Sequence, residues 1–491
     1  MGDLLATGAD PTLISGVALD SRRVLPGDLY VALPGQATHG ARFARAAVEA
    51  GAVAVLTDPA GSALLDGDLG VPLVVVADPR GELARLAAEV YGRPGDALLM
   101  LGVTGTAGKT STAFLIEAGL AAAGLAAGTI GTMGFRVRGT TLPVQRSTIT
   151  TPEAPDLQAL LAVMREAGVR AVAMEVSSHA LALRRVDAIG FEVAGFTNLG
   201  HDHLDFHRDQ ESYFRAKAAL FLDGRSRRAV INTDDPWGRR LADEVQAEGS
   251  AVVVTTGGVG ADYRVLSATP QLDGSRRVRL ATPTGEVGFT LGLIGDFNLL
   301  NALTAAAMLD QAGIDLPAAL AGFATASIPG RMQRVPLPGA APNVVVDFAH
   351  TPEAVTAALT ALPEQRRIVV LGCGGDRDPA KRGPMGACAA AHADVVVVTD
   401  DNPRSEDPAA IRAAVLDGAR RQAGAGVEVL DGTDRRTAIR TALARAEPGD
   451  WVAVLGKGHE QGQEIAGVVT GFDDVAVVTE EWRSLKEAAD G

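Results

Sequence analysis

The stretch LLMLGVTGTAGKT, Leu98 to Thr110, decides how this chain is read. An apolar run that gives way to a Gly-rich loop and then to Lys-Thr predicts a buried strand, a phosphate loop and a helix over about Ser111 to Ala122. Successive backbone N–H groups in such a loop, backed by a helix N-terminus, cradle phosphate oxygens. Gly105, Thr106, Ala107, Gly108, Lys109, Thr110 and Ser111 are therefore the candidate nucleotide-binding residues. Lys109 would reach the β- and γ-phosphates, and the Thr110 hydroxyl would hold Mg²⁺. The pattern G-x₄-G-K-[ST] fails because Val103 stands at its first position, whereas the shorter T-G-T-x-G-K-T fits. The alternative is a plain Gly-rich turn before a helix. Strand before, helix after and Lys-Thr in place favour ATP or a relative of it.

The same succession recurs outward from this point: a short β-branched run, a loop of Gly, Asp, Thr or His, then an Ala/Leu-rich stretch. VRAVAMEVSSHAL, VAGFTNLGHDHLD and RAVINTDDP show it in the middle of the chain. VVVDFAHTPEA, RIVVLGCGGDRD, ADVVVVTDDNPR and DWVAVLGKGHE show it towards the end. Buried strands alternating with helices imply an α/β protein with mostly parallel sheets, whose ligands sit at the loops leaving the strands' carboxyl ends. Turn-rich YGRPGD and proline-rich SIPGRMQRVPLPGAAPN suggest three domains at 1–97, 98–332 and 333–491.

The bulk composition narrows the function. With 59 acidic residues against 45 basic, a net charge of −14 and 4% aromatics, there is neither a basic footprint nor a stacking platform for nucleic acid. An anionic substrate needs local Arg, Lys and backbone N–H to overcome that charge. Cys373 and Cys388 form neither a disulfide framework nor a metal pattern and suit a reducing compartment. The opening MGDLLATGAD lacks a basic stretch followed by an apolar core, so no secretory signal is expected. With no run of about 18 apolar residues, no membrane span is expected either. A cytoplasmic protein is the expectation.

A second constellation lies downstream. The strand AVAME ends at Glu175, and Gly200-His-Asp-His-Leu-Asp-Phe-His207 crowds three of the chain's eight histidines into seven residues. Read alone, the histidines suit a zinc hydrolase or loop-capping hydrogen bonds. A third reading also accounts for the phosphate loop: Glu175 and His203 hold a Mg²⁺ beside the γ-phosphate, supplementing the ion at Thr110. Lys217, in SYFRAKAALF, has the spacing of a helical residue, and its default is a solvated face.

Taken together, these motifs resemble the Mur ligase family over nearly the whole chain. Asp20-Ser-Arg-Arg-Val-Leu-Pro-Gly-Asp-Leu-Tyr30 resembles the family's uridine-binding opening, and TGTAGKT its phosphate loop, with Ala107 where Asn is usual. Thr150-Thr-Pro152, Glu175-Val-Ser-Ser-His179, Asp202-His-Leu-Asp205, Gly295-Asp-Phe-Asn298 with Asn301, Gly330-Arg-Met332 and Asp347-Phe-Ala-His350 follow in the family's order, as do GCGGDRD, DDNPR and GKGHE. The resemblance implies a ligase with a nucleotide-sugar domain, a central P-loop ATPase and a Rossmann-like C-terminal domain; a monomer is the expectation. It implies that Lys217 reacts with CO₂ to form a carbamate, which turns a repelled cation into an anion able to hold Mg²⁺. It places Ser21, Thr150, Thr151, Ser177 and Arg185 on a UDP-muramyl peptide, and Asn298, Arg331 and Asp347 around the nucleotide. A Gln common in the family two residues before Arg185 is Leu183 here. His350 and His459 sit in active-site-like loops and are given no catalytic role.

Asp401-Asn-Pro-Arg404 bears on the amino acid that is added. By itself it reads as a turn after a buried strand. Within the family it resembles the signature of members that add meso-2,6-diaminopimelate, which differs from lysine by a carboxylate on its far carbon. A buried carboxylate calls for a guanidinium of fixed geometry, and Arg404 supplies one. Asp401, Asn402 and Pro403, with Arg377, Gly456 and Glu460, would complete the pocket, Glu460 taking an ammonium group. The resemblance thus implies transfer of diaminopimelate to the D-glutamyl carboxylate of UDP-N-acetylmuramoyl-L-alanyl-D-glutamate through an acyl phosphate. Rivals are a lysine-adding member, a folylpolyglutamate synthetase, and, from other classes, a P-loop kinase or motor ATPase or a metal hydrolase.

Overall fold

β-Branched runs bounded by Gly, Asp and Pro become the strands of three main sheets in this mixed α/β chain. The computed structural model describes residues 14–35, 37–142, 150–200, 202–203 and 206–490. MGDLLATGAD, and His201, Leu204 and Asp205 of the histidine-rich loop, lie outside the described residues. Two compact units emerge. The first comprises the chain up to Leu266 with Arg279–Val287 and Leu300–Gly322; the second comprises Ser267–Val278, Gly288–Leu299 and Phe323–Gly491. The sequence boundary expected near residue 97 falls inside the first unit.

The first unit holds a four-stranded parallel sheet (Gly16–Ala18, Asp28–Val31, Ala54–Thr57, Leu73–Val75) and an eight-stranded sheet. In the larger sheet Leu99–Thr104 is central, with Phe191–Phe196 on one side and Ala171–Glu175 on the other. Six of its strands run parallel; Gly134–Val137 and Thr140–Thr141 add an antiparallel edge. The chain leaves the central strand and returns on both of its sides, which opens a crevice at the carboxyl ends. The helix after the phosphate loop spans Lys109–Ala122, two residues earlier than the sequence suggests. The cause is Gly108: its φ of +88° ends the loop abruptly and puts Lys109 and Thr110 in the first turn.

The second unit is built on a six-stranded sheet in the order Gln333–Arg334, Asn343–Asp347, Trp451–Leu455, Arg367–Leu371, Val395–Val398, Glu428–Asp431, parallel except for the first pair. All four valines of Val395–Val398 are buried, which explains why this strand reads as a continuous apolar run. No helix among the described residues is long and apolar enough to cross a membrane.

One interior interaction runs against the apolar trend. Arg435, at the start of the helix Arg435–Arg445, donates Nε to Asp474 Oδ1 and Nη2 to Asp474 Oδ2, both at 2.7 Å, with both side chains 0% exposed. Nη2 also donates to the Leu455 carbonyl at 3.1 Å. Losing one partner leaves a buried charge uncompensated, so Asp474→Asn is expected to destabilise this unit by about 3–5 kcal/mol. The double change Arg435→Met with Asp474→Leu is expected to recover most of that loss. Chemical denaturation followed by tryptophan fluorescence checks both, since Trp451 and Trp482 belong to the same unit. Equal stability of Asp474→Asn and the parent would count against the pair.

Candidate active site

Three strand ends of the first unit discharge their loops at one edge of the sheet. Leu99–Thr104 leads into the phosphate loop, Ala171–Glu175 ends on Glu175, and Phe191–Phe196 leads into Thr197 and Asn198. Thr197 and Asn198 brace the loop. Ala107 N–H donates to Asn198 Oδ1 at 2.9 Å, and the Ala107 carbonyl accepts from Thr197 Oγ1 at 2.7 Å and Asn198 Nδ2 at 3.1 Å. These contacts use only the backbone of residue 107, so Ala serves there. A Cβ on Gly108 would stand 2.3 Å from Asn301 Oδ1, which together with its positive φ makes glycine necessary.

Two lysines meet over this loop. Lys109 Nζ donates to the carbonyls of Gly105 and Thr106, both at 2.9 Å, and Lys217 Nζ donates to the same Gly105 carbonyl at 2.8 Å. Lys217 is 1% exposed, so the helix Gln210–Ala218 turns it inward rather than to solvent. Burial, reinforced by the charge of Lys109, pushes the Lys217 amine well below the ordinary lysine range. Burial lowers Lys109 too, against the pull of Glu175 and Asp202. The Tyr213 ring centroid lies 4.6 Å from Lys217 Nζ, and its hydroxyl lies 3.1 Å from Thr106 Oγ1.

Glu175 collects hydroxyls. Thr110 Oγ1 and Thr132 N–H donate to its Oε1, each at 3.0 Å, and Thr132 Oγ1 donates to Oε2 at 3.1 Å. Burial raises its carboxyl, while Lys109 and these donors oppose the rise. A hydroxyl and a carboxylate this close are hard oxygen donors of the kind Mg²⁺ takes, so Thr110 and Glu175 fit such an ion. His203 stands apart from these bonds. It has φ of +54°, an exposed side chain, and a ring edge-on to His179 with centroids 4.8 Å apart. His207 is turned inward, with Nε2 2.9 Å from Ser178 Oγ. No group of three or more His, Cys, Asp or Glu suited to a metal occurs among the described residues.

Beside Glu175, Thr150 Oγ1 lies 3.1 Å from Thr132 Oγ1, and Thr151 Oγ1 donates to the Glu175 carbonyl at 2.9 Å while accepting Ser177 N–H at 3.1 Å. Arg185 is buried, donating to the Thr151 carbonyl at 3.0 Å and pairing with Glu153 at 2.8 Å. The structure therefore brings Thr150, Thr151, Ser177 and Arg185 together with Glu175. Leu183 caps the short helix Ser178–Ala182. Ser21 lies in the turn Ser21–Arg23, which the Asp20 carboxylate holds through Arg22 N–H at 3.0 Å.

In the second unit a cavity of about 260 Å³ opens where the loops leave Asn343–Asp347, Arg367–Leu371, Val395–Val398 and Trp451–Leu455. Arg377, Asp401, Asn402, Arg404, Gly456 and Glu460 all line it, with His350 and Lys381. Pro403, buried next to them, does not. Arg404 has φ of +53° and donates Nη1 to the Gly375 carbonyl at 2.7 Å. Asp401 is buried under Gly456, where a Cβ would come within 2.4 Å of Asp401 Oδ2. Burial raises its carboxyl, against Arg435 and Lys457. Asp347 spends both oxygens on backbone, accepting Met332 N–H at 2.7 Å and Ala349 N–H at 2.8 Å. Arg331 lies over the Phe348 ring at 5.0 Å, and Asn298 Nδ2 donates to the Ile294 carbonyl at 2.8 Å.

Comparison with known proteins finds one family along most of the chain. Residues 13–91 match the Mur ligase family catalytic domain, 103–309 the Mur ligase middle domain, and 330–458 the Mur ligase glutamate ligase domain. A UDP-N-acetylmuramoyl-L-alanyl-D-glutamate–2,6-diaminopimelate ligase of Streptomyces coelicolor is 50% identical, over 95% of this chain and 92% of that protein. The chain belongs to the Mur ligase family. A UDP-N-acetylmuramyl-tripeptide synthetase of Leifsonia xyli subsp. xyli is 46% identical, over 93% of this chain and 89% of that one. A solved structure of a UDP-N-acetylmuramoyl-L-alanyl-D-glutamate–2,6-diaminopimelate ligase superposes with a TM-score of 0.74 at 32% identity, over 96% and 95% of the two chains. This Mur ligase is thus an enzyme that forms an amide bond at the expense of ATP.

Two residues to which the sequence assigns no role also shape this site. Thr132 supplies two of the three donors to Glu175, yet it stands in an ordinary turn after Ala127–Gly131. Its one signal is position, at the carboxyl end of a parallel strand. Asn198 is quoted in TNLGHDH without a role, and the structure makes it the brace of the phosphate loop.

Proposed function

We propose that this Mur ligase joins meso-2,6-diaminopimelate to the D-glutamyl side-chain carboxylate of UDP-N-acetylmuramoyl-L-alanyl-D-glutamate, as a cytoplasmic monomer building a cell-wall precursor. The observation that carries the reading is the cavity of the second unit. Two guanidinium-bearing residues, Arg377 and Arg404, line it together with the acid Glu460 and the amide Asn402. Such a set suits an amino acid with two carboxylates and an ammonium group, and lysine lacks the second carboxylate. The names carried by the Streptomyces coelicolor protein and by the solved structure support the same substrate.

The proposed division of labour follows the sequence regions. Residues 1–97 take the UDP moiety with Ser21. Residues 98–332 hold ATP on Gly105 to Ser111, and 333–491 take the amino acid; the roles of Asn298, Arg331 and Asp347 toward the nucleotide rest on the family resemblance. Thr150, Thr151, Ser177 and Arg185, clustered at Glu175, hold the muramyl peptide with its carboxylate near the phosphate loop. A carboxylate does not react with an amine at neutral pH because its oxygens leave poorly. The glutamyl oxygen forms a bond to the γ-phosphorus of ATP as the bond to ADP breaks, giving an acyl phosphate; the unprotonated amine then forms the N–C bond, phosphate leaves as the C–O bond breaks, and the amine's proton goes to solvent. Lys109 and the loop N–H groups stabilise charge on the transferring group. Thr110, Glu175, His203 and a carbamylated Lys217 would hold Mg²⁺, which supplies further neutralisation of that charge when bound.

The test is phosphate release from ATP and the UDP-muramyl dipeptide with meso-diaminopimelate, L-lysine or no amino acid. Release with meso-diaminopimelate alone is the expected result. Release with lysine at an equal rate would assign another amino acid, and release without any would remove the ligase reaction proposed here.

A further inference from the structure

Three neighbouring parallel strands of the first unit end side by side. Phe196 pairs with Thr104 of Leu99–Thr104 on one side and with Ile231 of Ser226–Asn232 on the other. The phosphate loop follows the first of these ends, Thr197 and Asn198 follow the second, and Asn232 closes the third, in the stretch RAVINTDDP. Asn232 is buried. Its Nδ2 donates to the Thr197 carbonyl at 2.8 Å, and its Oδ1 accepts Asp234 N–H at 3.1 Å. A carbonyl only accepts and a backbone N–H only donates, so both ends of the Asn232 amide are fixed. Asp235 adds a second tie. Its Oδ2 accepts Leu199 N–H at 3.2 Å, while Oδ1 caps the helix Pro236–Glu248 through Trp237 and Gly238 N–H. The turn is so tight that a Cβ on Gly238 would stand 1.9 Å from the Asn232 carbonyl oxygen.

The segment held in this way is the one that shapes the phosphate loop. Thr197 Oγ1 donates to the Ala107 carbonyl at 2.7 Å and stands where a Cβ on Gly105 would come within 1.9 Å of it. Asn198 accepts Thr106 N–H on its backbone carbonyl and Ala107 N–H on Oδ1, both at 2.9 Å. Two N–H groups of the loop are therefore taken up by the neighbouring strand end. Those from Gly108 to Ser111, at the start of the helix Lys109–Ala122, are left for phosphate. Their direction depends on the outline of the loop before them. Ala107 has no polar side chain with which to hold that outline, so it is held from Thr197 and Asn198.

We infer that Asn232 is a positioning residue for nucleotide binding. From two strands away it fixes Thr197, and through Thr197 the Ala107 carbonyl, so that the N–H groups of Gly108 to Ser111 stay aimed at the phosphates. Asn232 touches no nucleotide itself. The inference rests on the proposed use of the phosphate loop for ATP, and it adds what keeps that loop in its binding shape.

The full-length enzyme tests it, with ADP and Mg²⁺ as the probe and binding followed by calorimetry. Asn232→Asp keeps an acceptor for Asp234 N–H but removes the donor to Thr197, and the dissociation constant for ADP is expected to rise about tenfold, the size of one broken buried hydrogen bond. Asn232→Ala, which adds no charge, is expected to do the same. Thr197→Val removes the next link and is expected to weaken ADP by a similar factor. Thr197→Ser keeps the hydroxyl and should stay within about twofold of the parent. Because Asn232 acts through Thr197, Asn232→Ala with Thr197→Val together should weaken ADP about tenfold, not the roughly hundredfold of two independent sites. In turnover, KM for ATP should rise by the same factor while KM for the amino acid moves less than about twofold, a split that general loosening of the fold would not give. Unchanged ADP affinity in both Asn232 variants, or a roughly hundredfold loss in the double variant, would overturn the inference and leave the phosphate loop standing as the nucleotide site. Lys109→Ala with unchanged ADP affinity would remove the phosphate-loop reading and this inference together.

Discussion

Replacing Arg404 by alanine is expected to lower kcat/KM for meso-diaminopimelate about a thousandfold, or ~4 kcal/mol, the scale of an enclosed charge left without its partner. The guanidinium is held before any substrate arrives. Nη1 is bonded to the Gly375 carbonyl at 2.7 Å, and the backbone is pinned through Arg404 N–H to the Glu464 carbonyl at 3.0 Å and Ala466 N–H to the Arg404 carbonyl at 2.7 Å. A non-glycine residue at φ +53° is strained, and strain of this kind persists only where its surroundings enforce it. The gain is a side chain aimed at one place. Lysine lacks the second carboxylate that would meet it, so the weak turnover expected with lysine should change by less than about threefold in the same variant. Arg404→Lys is expected to recover under a tenth of the lost activity, because an ammonium cannot reproduce the planar fork. Steady-state assays with both amino acids decide the matter. A parallel fall for lysine and meso-diaminopimelate would make Arg404 part of the scaffold.

Legibility in the sequence tracked how local each feature is. The strand Leu99–Thr104, the loop and Lys109 follow one another in the chain, and the reading of a buried strand, phosphate loop and helix needs nothing from elsewhere. The helix start moved by two residues because the positive φ at Gly108 is tied to the approach of Asn301, nearly two hundred positions away. Asp400, Asp401 and Asn402 of DDNPR, and the glycines of the GKGHE loop, were legible as punctuation after buried strands. That the two loops share a cavity depends on Trp451–Leu455 inserting between Asn343–Asp347 and Arg367–Leu371, an order that no local pattern encodes. Thr132 and Lys457 were missed for the same reason. A threonine in a turn and a lysine in a Gly-rich loop default to solvent, and only the register of distant strands turns them onto Glu175 and Asn402. The two compact units differ from the three expected sequence regions because composition marks turn-rich junctions and carries no measure of how much surface joins the segments on either side.

Lys217→Ala is expected to reduce kcat by about three orders of magnitude, or ~4 kcal/mol, while leaving the fold intact. As an ammonium, Lys217 competes with Lys109 for the Gly105 carbonyl, so two like charges meet at one acceptor beside the phosphate loop. Burial first, and then the charge of Lys109, drive its amine toward the neutral form. The neutral amine is the nucleophile that carbamylation requires: its nitrogen forms a bond to the carbon of CO₂, and the proton goes to solvent. The product is an anion, which attracts Lys109 where the ammonium repelled it. The sign of the pH dependence follows. CO₂-dependent activation should increase as pH rises through the lowered amine pKa, with its midpoint below the ordinary lysine range. Enzyme stripped of CO₂ at low pH should lose activity and regain it with bicarbonate. In Lys217→Ala, formate or acetate should restore part of the rate by placing a carboxylate where the proposed carbamate would stand, and Lys217→Arg, a cation that cannot be carbamylated, should gain nothing from them. Full activity of the CO₂-stripped enzyme, with no carbamate signal from isotope-labelled bicarbonate, would leave Lys217 as a buried amine without a carbamate and require another anion beside Glu175.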